Sequence, residues 1–208
     1  MTTIHQKKGI IMAIKPAPGE QYTVRRKIFK IFGSAFHVFD EHNQIIGYCK
    51  QKAFKLKEDI RLFTGEDMQE ELIVLKARSI IDFGSTYDIT LPDGSTLGSL
   101  RRKGLKSSFV RDEWMMFDDE GTQIAIIREK GAVASILRRI HELFSLIMPQ
   151  QYEIVRTRDT LTVAELRQHF NPFVFRLGVK IMEEDEHLDD LTLLGTACLI
   201  AAIEGRQS

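Results

Sequence analysis

From Tyr22 onward the chain alternates between apolar and polar residues with period two, and clusters of Asp, Asn, Gly and Pro interrupt the alternation at short intervals. Tyr87, Ile89 and Leu91 alternate with Asp88 and Thr90, and Phe173, Phe175, Leu177, Val179 and Ile181 alternate with Arg176 and Lys180. A strand turns every second side chain to one face, so such runs read as antiparallel strands covered on one side. About ten to twelve of them fit into the chain, more than a flat open sheet of this size holds, which points to a closed barrel or a two-sheet sandwich.

An internal repeat narrows the choice. Phe36, Val38, Ile46, Gly47, Lys50 and Lys52 match Tyr87, Ile89, Leu97, Gly98, Arg101 and Lys103 at one constant offset, and Trp114, Met116, Gly121, Ile124 and Ala125 form a third, partial copy. Each unit reads as a β-hairpin, with Gly94 and Gly121 supplying the positive-φ residue of the turn. Duplicated hairpins favour a barrel with approximate internal symmetry.

Two segments leave the alternation. Val133, Ile136, Leu137, Ile140, Leu143, Phe144 and Ile147 recur at helical spacing opposite Arg138, Arg139, His141 and Glu142, which predicts an amphipathic helix packed outside the sheet and ended by Pro149. A membrane-surface helix would carry the same pattern. The second helix, over about 188–204, is apolar on every side: Leu191, Leu193, Leu194, Ala197, Cys198, Leu199, Ile200 and Ile203 leave only Thr192 and Thr196 as polar positions. Asp189 or Asp190 is placed to cap it, and Gly205 to end it. Such a helix must be enclosed, and in a chain made of strands the simplest enclosure is a barrel with the helix on its axis. Leu191, Leu194, Cys198, Ile200 and Ile203 are then its core residues, and Gly195 and the alanines keep it slim. At ~1.5 Å per residue its apolar stretch is too short for a bilayer core of about 30 Å, so no transmembrane segment is expected.

Composition excludes some partners. Of 208 residues, 29 are Lys or Arg and 29 are Asp or Glu, giving a net charge of +0. No chain-wide basic field is available for nucleic acid. The two cysteines, Cys49 and Cys198, form neither a CxxC pair nor a disulfide framework, which fits a reducing, cytoplasmic setting. Residues 1–20 read as a flexible arm, with Pro16, Pro18 and Gly19 marking its end, and residues 21–206 as a single domain.

The hairpin from Phe36 to Glu41 with Ile45-Ile46-Gly47, its partner Tyr87-Asp88-Ile89 with Leu97-Gly98, and the ending from Asp189 to Glu204 together resemble the LURP-one-related family, which is related to the phospholipid scramblases and the Tubby C-terminal domain. The resemblance implies a twelve-stranded antiparallel barrel closed around a hydrophobic C-terminal helix. For function it implies a lipid connection: phosphoinositide binding at the inner face of the plasma membrane in Tubby-like domains, calcium-dependent lipid movement in scramblases. The chain departs from scramblases in having no long proline-rich N-terminal region and no cysteine-rich palmitoylation stretch.

No catalytic constellation stands out. His5, His37, His42, His141, His169 and His187 show no zinc spacing, and GxSxG, GxxxxGK[ST] and a post-strand GxGxxG are absent, so neither enzyme activity nor a metal or other cofactor is expected. The acidic run Glu183, Glu184, Asp185, Glu186, Asp189 and Asp190 does not follow the EF-hand pattern and reads as a solvated, helix-capping loop. The basic residues carry the functional expectation. Lys50, Lys52, Arg101, Arg102, Lys103 and Lys106 follow equivalent hairpins, with Arg25, Arg26 and Lys27 on the first strand, and alternation places Lys50, Lys52, Arg101 and Lys103 on equivalent faces. If the hairpins are neighbours, these charges merge into one patch for an anionic phospholipid or phosphoinositide headgroup, or for a protein partner, at the inner membrane face. The alternatives are a scramblase-like lipid-transfer protein, a scaffold or small-molecule barrel, and lysines that merely deter edge pairing.

Overall fold

The computed structural model describes residues 17–27, 34–51, 59–78, 85–103, 113–130, 149–171 and 174–204. The amphipathic helix expected at 133–147, Lys52 and Lys106 lie outside these residues.

Twelve strands form a closed antiparallel barrel in which each pairs with its sequence neighbours. Tyr22–Lys27 (β1) is followed by five hairpins: Ser34–Asp40 (β2) with Ile45–Gln51 (β3), Asp59–Phe63 (β4) with Glu71–Ala77 (β5), Thr86–Thr90 (β6) with Thr96–Arg102 (β7), Glu113–Phe117 (β8) with Gln123–Glu129 (β9), and Gln151–Arg156 (β10) with Thr162–His169 (β11). Val174–Ile181 (β12) then pairs with β1 and closes the ring.

The repeat seen in the sequence is a repeat of backbone detail. Every one of the five hairpins slips register at the same point, after Val38, Leu62, Ile89, Met116 and Ile154, leaving one extra apolar residue on the return strand: Ile46, Leu72, Leu97, Ile124 and Val163. A bulge bends and twists its strand, so five equivalent bulges supply the curvature that closes the wall. The turns repeat as well. Two residues before the return strand the backbone takes positive φ in four of the five hairpins: Asn43 at 61°, Gly94 at 90°, Gly121 at 85° and Thr160 at 60°. Asp40 and Asp118 each bind the amide four residues on through a carboxylate oxygen, at 2.7 Å in both turns.

One helix, Asp190–Glu204 (α1), occupies the lumen, packed most closely against β5, β12, β1 and β4. It starts two residues later than the pattern predicted because Asp189 is its cap: the Asp189 carboxylate accepts the Thr192 amide at 2.7 Å and its carbonyl accepts the Leu193 amide at 2.9 Å. Leu193, Ala197, Cys198, Leu199, Ile200, Ala201 and Ala202 are all buried, as is Leu194, whereas Leu191 and Ile203 at the two ends are half-buried. Thr196, fully enclosed, returns its hydroxyl to the Thr192 carbonyl at 2.8 Å, so no polar group of the helix side faces the core unsatisfied. A Cβ on Gly195 would sit 3.2 Å from the Ile73 terminal methyl, which is why the helix is narrowest there. Inside the wall, Cys49 of β3 and Cys198 of α1 meet, each fully buried; their mutual hydrogen bond and burial push the Cys49 thiol well above its ordinary pKa.

Candidate functional site

With the lumen filled by the protein's own helix, a partner has access to the outer wall and the two ends. The ends differ in charge. The hairpin turns at 40–44, 64–70, 91–95, 118–122 and 157–161, together with 182–190 leading into α1, all leave the strands at one end, and 64–70 folds back along the outer wall so that Glu66 meets His37 and Met68 meets Lys50; these segments contain sixteen Asp and Glu and a single Lys or Arg, Arg158. The strand ends of the opposite rim carry Lys50, Lys76, Arg78, Arg101, Arg102, Lys103, Arg128 and Lys130, and the acids level with them, Asp59, Asp88, Glu113, Glu129 and Glu153, are buried or half-buried. Among the described residues the barrel therefore presents an acidic end and a basic end, separated by the strand length of about 20 Å.

The acidic end is held together by its own ion pairs. Arg156, pointing inward at the end of β10, donates to Asp159 at 2.9 Å and to Asp185 at 2.9 Å, and Arg158 reaches Asp185 at 3.4 Å. The Arg156 hydrogen bonds hold Asp159 down to about 2. Burial pushes the Asp185 carboxyl up, but Arg156 and the His187 amide outweigh it and keep its pKa below the usual range. Tyr22 at the start of β1 donates to Asp190 at the start of α1, and burial together with that bond pushes its phenol up to about 12. An open cleft of about 430 Å³ lies here, lined by Glu183, Glu184, Leu188 and Asp189 among others. No group of three or more His, Cys, Asp or Glu suited to a metal occurs among the described residues.

At the basic end, Lys50, Arg101 and Lys103 are exposed on the outer wall. Their hairpins are not neighbours, since β4, β5 and β6 lie between β3 and β7, about 19 Å along the wall. The condition for one merged side patch is therefore not met; what these residues share is an end of the barrel. Lys103 is paired with Glu113 at 3.3 Å. Arg101 lies with its guanidinium carbon 4.9 Å from the centre of the Phe117 ring, and Lys50 leans along the wall to Met68 Sδ at 3.6 Å; neither has a carboxylate partner among the described residues. Arg102 alternates inward, its guanidinium 5.7 Å from the centre of the Trp114 ring. Other rim cations are paired on the wall, Arg78 with Asp88 at 2.6 Å and Lys130 with Glu165 at 2.8 Å.

A feature that sequence reasoning missed lies on the outer wall where the barrel closes. Register places His169, Arg176, Arg25 and His37 side by side across β11, β12, β1 and β2. Alternation predicts exposure for this outer row, yet Arg25 is only 7% and Arg176 6% exposed. Burial, reinforced by Arg176, pushes the Arg25 guanidinium down to about 10, and burial likewise lowers Arg176. Nothing in a period-two pattern reveals what covers the outer face.

The architecture defines a class: a twelve-stranded antiparallel barrel built from bulged hairpins and closed around its own apolar helix. A model of the LURP-one-related family matches residues 45–186, and the chain belongs to that family. No match was found among curated proteins, and none among solved structures. Among the described residues no helix is long and apolar enough to cross a membrane.

Proposed function

We propose that this barrel is a non-enzymatic binding module that docks on anionic phospholipid headgroups, phosphoinositides among them, by its basic rim, with the acidic turns facing away from the membrane. The observation that carries this reading is the axial division of charge in a chain whose net charge is +0. A flat anionic surface approaching along the barrel axis meets the cations of β3, β5, β7 and β9 together, so the separation between Lys50 and Arg101, which rules out a single side patch, is no obstacle. Arg101 and Lys103 are its leading contacts, with Arg128 and Lys130 at the same levels on the next hairpin. Each cation near an anionic surface contributes about 1 kcal/mol, less where it already has a carboxylate partner, as Lys103 has.

Co-sedimentation with neutral vesicles and with vesicles containing phosphoinositide tests this at two salt concentrations. Arg101→Glu with Lys103→Glu is expected to weaken binding to the anionic vesicles by about tenfold or more, and higher salt to weaken the parent protein similarly. Asp118→Lys with Asp119→Lys, at the far end, changes the net charge by the same amount in the favourable direction. Equal and opposite effects of the two pairs would mean that net charge alone governs binding and would refute docking by the rim.

A further inference from the structure

The buried row on the outer wall holds more than a packing curiosity. Thr23 and Arg25 of β1 stand directly opposite Gly178 and Arg176 of β12, and these four positions alternate with the core residues Val24 and Leu177, so their side chains point outward. Thr23 is fully buried, yet its hydroxyl has no hydrogen-bond partner; the Arg176 Nε and Nη2 groups are equally buried and equally without one. Burying such donors unsatisfied is costly, and each calls for an acceptor.

One acceptor is present. The Glu20 carboxylate, 7% exposed, lies against the Gly178 backbone, where a Cβ would collide with both of its oxygens. It accepts the Ala17 amide at 3.1 Å and contacts His169 Nε2 at 2.5 Å, but it approaches Arg176 Nη2 only to 3.6 Å, beyond hydrogen-bond length. The missing side chain of Gly178 therefore makes a seat for an oxyanion, and the planar Glu20 carboxylate fills it while making no hydrogen bond to Thr23 or to the Arg176 Nε and Nη2 groups.

We propose that this seat is a binding site for the phosphate group of a small soluble compound, and that Glu20 is its resident stand-in, displaced when the phosphate enters. A tetrahedral phosphate offers acceptor oxygens in more directions than a carboxylate. It can sit on Gly178 while accepting from Thr23 and from the Arg176 Nε and Nη2 pair, the fork geometry that suits arginine to phosphate, with the positive Arg25 alongside. The site lies on the side wall beneath the 17–21 segment, away from the basic rim, so this proposal stands or falls separately from membrane docking.

Thermal unfolding in inorganic phosphate, against chloride at matched ionic strength, tests it. Glu20→Gln removes the competing charge; it is expected to lower the melting temperature in chloride and to tighten the apparent phosphate affinity at least tenfold over the parent. Thr23→Val has nearly the same shape and removes a hydroxyl that is unsatisfied without ligand, so it is expected to melt like the parent in chloride but to bind phosphate at least fivefold more weakly. Should Glu20→Gln fail to fold, the parent and Thr23→Val titrations decide the matter alone. Phosphate that stabilises the parent and Glu20→Gln no more than chloride does, or a phosphate response undiminished in Thr23→Val, would overturn the site.

Discussion

Gly195 offers the sharpest test of the enclosed helix, because two substitutions there should act in different ways. In Gly195→Ala, the helix gains about 1 kcal/mol from the better propensity of alanine. Against this, the new methyl lies 3.2 Å from Ile73 Cδ1 and 3.5 Å from Leu75 Cδ1, so the terminal methyl of Ile73 must shift by a few tenths of an ångström. The two effects nearly cancel, and the variant is expected to stay within about 1 kcal/mol of the parent. Gly195→Leu places three further carbons beyond that methyl, in space that the fully buried Ile73 and Leu75 already fill. Overpacking of this kind costs about 1–3 kcal/mol, and more where the surroundings are a closed wall that cannot open. Urea denaturation measures both variants, and for a domain of this size each kcal/mol corresponds to about 2–4 °C in melting temperature. A Gly195→Leu protein as stable as the parent would show that this face of α1 does not meet β5, and the central-helix packing would be refuted.

Three further outcomes follow from the ion pairs and thiols. Spectrophotometric titration should show a tyrosinate transition near 12 that Tyr22→Phe abolishes; because the folded pKa lies above the unfolded one, the stability from the Tyr22–Asp190 bond is complete below about 10 and lost as the pH rises toward 12. At the acid side the signs reverse: Asp159 and Asp185 are depressed by Arg156, so their contribution is present above about 4 and is lost as the pH falls, for Asp159 toward about 2, and Arg156→Met should flatten the acid melting curve below about 4. A thiol reagent should leave Cys49 and Cys198 unmodified in the native protein and label both in denaturant, since both are fully buried; prompt labelling of either without denaturant would contradict their placement.

The fold was legible because its signals are local or periodic. The bulge residues Ile46, Leu97 and Ile124 sit inside the repeat, so the spacing that revealed the duplication also marks where each hairpin bends. The helix was legible because apolar residues on every side leave no alternative to enclosure, and its exact start was not, because Asp189 and Asp190 are both competent caps and only tertiary geometry chooses. The meeting of Cys49 with Cys198 depends on the rotation of α1 about its axis, which an all-apolar helix does not encode in its pattern. For the candidate site, alternation put Lys50, Arg101 and Lys103 on equivalent faces without saying which face is outermost, and sorting charges by strand face hid their division by barrel end. That division becomes visible once the turns are assigned, since the turn acids alternate along the chain with basic strand ends. The burial of Arg25 and Arg176 had no such signal, because the residues that cover an outer wall leave no periodic trace in the strands beneath.

The orientation of the bound protein tests the central functional claim most directly. Phe170 directly follows β11 at the rim opposite the hairpin turns and is 61% exposed, while Ser95 is exposed in the β6–β7 turn at the acidic end. An environment-sensitive fluorophore on Phe170→Cys or on Ser95→Cys, with the native cysteines buried, reports which end meets the bilayer when vesicles carry headgroup-level nitroxide lipids. Docking by the basic rim predicts strong quenching at position 170 and none at position 95 on the same anionic vesicles. Quenching at position 95 instead, or at neither position in protein that co-sediments, would contradict it.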